Sequence, residues 1–175
     1  MKLLNVVAVT VAASLLFAVS AAAQVKNPVA TALKDSLPGR QKNTVAAVEA
    51  MPADKFSYQP TKEQMTFGHL VAHMVESNYT FCSKAADVPA PKVEEAKDTD
   101  GKDKLVAALK ASFDFCGEAL SKMDDSKLGE MTDAFGTKVS RARVALAIAG
   151  SWADHYAEAA MYLRLNGILP PTAKK

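Results

Sequence analysis

MTFGHLVAHMVESNYTFCSKAAD, residues 65–87, is the stretch whose reading decides the fold. Phe67, Val71, Met74 or Val75, Asn78 and Phe81–Cys82 recur at steps of three and four, the period of a helix with one face turned inward. Thr66 is placed to cap its start, and the pattern runs to about Ala86. The stretch holds two of the three histidines, His69 and His73, four residues apart and so on one helical face. It also holds Cys82, one of two cysteines; the third histidine, His155, lies on a second long helical pattern near the C-terminus.

Three further helices surround this one. Asn27-Pro28 predicts a helix start with Pro at the first position, and a helix from Pro28 to Met51 with a break at Leu37-Pro38-Gly39. Pro52 ends it, and Ala53 to Glu63 reads as a linker. Val88 to Asp100, with Pro89, Pro91 and many charges, reads as a loop of about 14 residues. Leu105, Leu109, Ser112–Phe113, Cys116, Leu120 and Met123 predict a helix over Lys102–Met123 with Cys116 facing inward. Asp124 to Thr137 is polar, with room for one helical turn. The last helix runs from about Ser140 to Asn166, capped by Ser140 or Thr137 and closed by Gly167 ahead of Pro170-Pro171. No strand pattern or repeat stands out. Four long helices predict an all-α four-helix bundle.

The N-terminus reads as a leader. Lys2 precedes an apolar run from Leu3 to Val19, and Ala21-Ala22-Ala23 before Gln24 is a small-residue cleavage pattern. The expectation is a signal peptide over residues 1–23 and a single domain over residues 24–175, exported to the periplasm or the extracellular space. The run is short for a membrane anchor, so no stable membrane insertion is expected once the leader is removed. The net charge of +2 falls to +1 without Lys2, which argues against nucleic acid as a partner. A homodimer is compatible with a bundle, though no interface residue stands out.

Export makes the cysteines informative. In an oxidising compartment Cys82 and Cys116 read as a disulfide, with two buried thiols as the alternative. Both lie near the C-terminal ends of their helices. A bridge therefore requires the second and third helices to run parallel, since an antiparallel hairpin would separate Cα atoms that must lie roughly 5–6 Å apart. A loop of 14 residues reaches about 46 Å extended, enough to return along a helix of about 31 Å. Given the bridge, up-down-down-up order follows.

His69 and His73 at i, i+4 can chelate one metal ion from one helix, though a histidine on an apolar face is more often a hydrogen-bonded core residue. If the second and last helices are antiparallel, His155 sits at nearly the level of His73. Glu76, Asp154 and Glu158 are then candidates to orient a ring through its other nitrogen, or else plain surface carboxylates. Trp152, Tyr156 and Tyr162 fit a cavity wall or the core.

Phe67-Gly68-His69-Leu70-Val71-Ala72-His73, Asn78-Tyr79 and Phe81-Cys82-Ser83 together resemble the DinB-like family. So do Met51 to Phe56 with Tyr58-Gln59-Pro60, Ala111 to Phe113 with Phe115-Cys116, and the end from His155-Tyr156 through Tyr162 to Gly167 and Pro170-Pro171. The resemblance spans about Pro28 to Pro171. It implies an up-down-down-up bundle and a site of three histidines for a divalent metal, zinc or nickel. His73 matches the ligand from the second helix, and His155 the second ligand of a His-x-x-x-His pair on the last. The first of that pair falls at Ser151, a poor ligand, so the inherited set is incomplete unless His69 substitutes.

Two functions follow as expectations. One is a metal-dependent hydrolase or transferase, whose metal would activate water or a thiol at an open position. Export makes thiol transfer less apt, because that chemistry uses cytosolic cofactors. The other is a non-catalytic metal- or small-ligand-binding bundle of the cell envelope. No separate nucleophile motif is present. Asn78-Tyr79-Thr80 fits a glycosylation sequon but falls mid-helix and reads as coincidence.

Overall fold

The computed structural model describes residues 25–173, so the expected leader over residues 1–23 lies outside the described residues. Four helices form a bundle: α1 (Pro28–Ala50), α2 (Phe67–Ala86), α3 (Lys102–Ser121) and α4 (Arg141–Leu165). Most inward positions read from the sequence are buried, including Phe67, Val71, Met74, Asn78 and Cys82 on α2 and Leu105, Leu109, Phe113, Cys116 and Leu120 on α3, whereas Phe81 is only half-buried. Fully burying one apolar side chain of this kind contributes roughly 1.5–3 kcal/mol, and α1 and α4 add their own buried stripes to the same core.

Each helix touches two neighbours: α2 packs on α3 and α4, and α1 packs on the same two from the opposite side. Cross-contacts give the pairwise directions. Cys82 is disulfide-bonded to Cys116, with Cα atoms 5.2 Å apart, and one turn earlier Asn78 bonds Ser112, so α2 and α3 run the same way. Arg141 opens α4 beside Lys84, near the end of α2, while Tyr162, near the end of α4, bonds the carbonyl of Met65 ahead of α2, so those two are antiparallel. The buried-thiol alternative is set aside, since both sulfurs are bonded and no described cysteine is free.

α3 supplies both caps of α1. Asn27 makes no side-chain cap; instead Asp125, just past α3, accepts from the backbone N–H of Val29 (2.7 Å) and Ala30 (3.0 Å). Lys102, at the start of α3, donates to the carbonyls of Glu49 (2.7 Å) and Met51 (2.8 Å). A carboxylate at the N-terminus and an ammonium at the C-terminus both complement the helix dipole. Thr66 and Ser140 cap α2 and α4 as expected, accepting from His69 N–H (3.1 Å) and Arg143 N–H (3.3 Å). The exit of α4 is a Schellman turn: Gly167, at φ +72°, bonds Arg164, and Ile168 N–H reaches Leu163.

Two expectations are corrected. The helix does not break at Leu37-Pro38-Gly39; α1 runs through Pro38. Proline removes one intrahelical bond, to the carbonyl of Lys34. Both residues are exposed, so water can take up that carbonyl while buried Leu33 and Leu37 hold the register. The second correction concerns Asp124 to Thr137, read as polar with one turn. A 3-10 turn, Asp125–Lys127, is followed by a hairpin of β1 (Met131–Ala134) and β2 (Thr137–Ser140). Its central residues, Phe135 and Gly136, both have positive φ, as a type I′ turn requires. Ala134 and Val139 anchor it to the core.

Candidate functional site

The antiparallel pairing of α2 and α4 sets His73 against His155, with ring centroids 5.0 Å apart and planes at 83°. Both are half-buried. One turn before His155, the Ser151 hydroxyl lies 3.1 Å from its Nδ1. Burial holds the His155 imidazole below the usual histidine range, the neighbouring His73 adds to that, and Asp154 partly opposes it. The ring has one nitrogen engaged by Ser151 and an edge-on histidine neighbour.

The other candidates scatter. His69 is exposed, a turn away from this pair at the start of α2, and shares with His73 the wall of a cavity of about 480 Å³. Glu76 and Tyr79 continue that wall, and the loop from Pro91 to Asp98 forms its outer side. Asp154 is exposed and acts on His155 only through its charge. Glu158, also exposed, borders a separate groove with Met65 and Tyr162. Trp152 and Tyr162 are core residues, whereas Tyr156 is half-buried and bonds Thr172 (2.7 Å).

The donors present do not make the three-histidine metal site implied by the family resemblance. An open zinc site takes three protein ligands. Here two imidazoles meet, the third position is a hydroxyl already bonded to one of them, and His69 faces the outer cavity. Among the described residues no group of three or more His, Cys, Asp or Glu is placed to hold a metal ion.

Behind the histidines runs a polar chain that the sequence reading passed over. Trp152 Nε1 donates to Asn78 Oδ1 (2.8 Å), Asn78 Nδ2 to Ser112 Oγ (3.0 Å), and Ser112 Oγ to the carbonyl of Leu109 (2.8 Å). An indole N–H can only donate, which fixes the orientation of the whole chain. Asn78 is 4% exposed, so its amide is a core bond and not an accessible acceptor for sugar. The available signal was a set of polar residues on inward positions: Thr44, Asn78 and Ser112. Gly68 was passed over as well. Its amide donates to Phe56 (2.8 Å), and a Cβ there would lie 2.7 Å from the carbonyl oxygen of Asp98. The absent side chain lets the cavity's outer loop cross the start of α2.

Fold and site together define a four-helix bundle with a histidine pair between its second and fourth helices. The chain belongs to the DinB superfamily, whose sequence model matches residues 37–159, from within α1 to within α4. It is similar to the crystal structure of a DinB-like protein from Bacillus subtilis, at 19% identity and a TM-score of 0.62, covering 77% of this chain and 91% of that one. A DinB-like protein from Bacillus cereus is similar at 16% identity and a TM-score of 0.64, covering 79% and 93%. These likenesses show the fold. No curated protein matches the chain.

Proposed function

We propose that this chain is an exported, non-catalytic member of the DinB superfamily that binds a small molecule beside His69 and His73 and keeps no resident zinc or nickel. The carrying observation is the Ser151 hydroxyl at 3.1 Å from His155 Nδ1, where the third imidazole of the family site would project. Serine at that position orients the ring and adds no ligand for a divalent metal.

The cavity of about 480 Å³ falls within the range of small-ligand sites. Its wall carries Glu76, Glu94, Glu95 and Asp98 against Lys97. That balance favours a neutral or cationic molecule over an anion, even with Glu94 already paired to Lys104 at 2.8 Å. A buried disulfide between α2 and α3 suits an oxidising compartment and supports export to the periplasm or beyond. The pairwise helix directions support the up-down-down-up order.

Metal analysis of untagged protein tests the reading. The expected content is below about 0.1 metal ion per chain, unchanged after incubation with zinc or nickel, while Ser151→His, which restores a three-imidazole set, takes up about one. A wild-type chain carrying one metal ion, lost in His73→Ala, would overturn the proposal in favour of the metal-dependent hydrolase or transferase.

A further inference from the structure

All four helices meet at one small internal pocket, walled by Thr44 of α1, Met74 and Asn78 of α2, Phe113 of α3, and Trp152 and His155 of α4. Its volume is about 10 Å³, close to the space one water molecule needs. Thr44 is 2% exposed, and among the described residues its Oγ1 has no hydrogen-bond partner. A hydroxyl buried dry is destabilising, so such groups are nearly always bonded to protein or to ordered water.

The pocket offers such a water further partners. Asn78 uses one amide hydrogen on Ser112 and one acceptor direction on Trp152, which leaves a second amide hydrogen and a second lone pair. The His155 ring, with Nδ1 engaged by Ser151, completes the polar wall. Met74 and Phe113 close the rest with apolar surface.

We propose that this pocket is the binding site of a single water molecule that joins Thr44 Oγ1 to the Asn78 amide or the His155 imidazole. The water links Thr44 of α1 to the polar wall that includes the ring at the candidate site. Ser151 then steadies that ring along α4 and the water steadies it from across the core. The site is independent of what the outer cavity binds.

Crystal structures of the wild type and of Thr44→Val, with melting curves for both and for Thr44→Ser, test it. One ordered water is expected within about 3.2 Å of Thr44 Oγ1 and of a second polar atom. Thr44→Val should lose that water and melt about 2–4 °C lower, while Thr44→Ser keeps the water. An empty pocket in the wild type, or a Thr44→Val protein that melts as high as the wild type or higher, would overturn the proposal, because removing a dry, unbonded hydroxyl is neutral or stabilising. Should Thr44→Val fail to fold, the wild-type and Thr44→Ser crystals decide the question.

Discussion

His155 carries a pH dependence of stability. Its folded pKa lies below the usual histidine range, first through burial and then through His73. The unfolded chain therefore takes up this proton before the folded one does, and stability rises with pH across the window just below about 6.5. Acidification through that window should lower the melting temperature, and His155→Gln should flatten the dependence. Titration followed by NMR should place His155 below a model histidine, and His73→Gln should move it upward while burial still holds it low. A His155 that titrates normally in the wild type would contradict the packing described here.

At the scale of elements, Gly68 is the sensitive joint. Alanine favours a helix over glycine by about 1 kcal/mol, yet a Cβ here meets backbone at 2.7 Å. Gly68→Ala is expected to destabilise the fold by about 1–3 kcal/mol in denaturant titrations. It should also speed amide exchange across residues 91–98, as the loop lifts from α2; an increase in stability would show that the loop shifts freely. The helices themselves were legible because their buried stripes repeat over five or more turns. Thr66, Ser140 and Gly167 marked ends by local chemistry that needs no tertiary information. Pro38 misled because its local cost is visible in sequence, whereas the packing of Leu33 and Leu37 that offsets it is not. The hairpin escaped because each strand has four residues and its turn opens with Phe135, a residue that seldom takes positive φ. The site was half legible. His73 and His155 follow from helix register, while the placement of His69 on the outer wall and the pocket at Thr44 depend on how four helices converge.

For the whole molecule, the disulfide closes a loop of sequence separation 34. Closing such a loop restricts the unfolded chain and contributes about 3–4 kcal/mol in the chain-entropy account. Replacing both cysteines by alanine should lower the melting temperature by about 8–15 °C, measured by calorimetry; no change would mean that the unfolded chain is already confined there. The ends of α1 are tied in the same long-range manner, with Asp125 holding its first turn from 96 positions away. Both ends of α1 are therefore fastened by residues that arrive only once α3 is in place.

The ring closed by Cys82 and Cys116 also contains the cavity's outer loop, with Lys92 and Lys97 exposed on it. A protease that cuts there severs the backbone without releasing either half. Trypsin-nicked protein should run as one species on a non-reducing gel and as two fragments after reduction. The wall of the candidate site can thus be opened while the molecule remains a single covalent object.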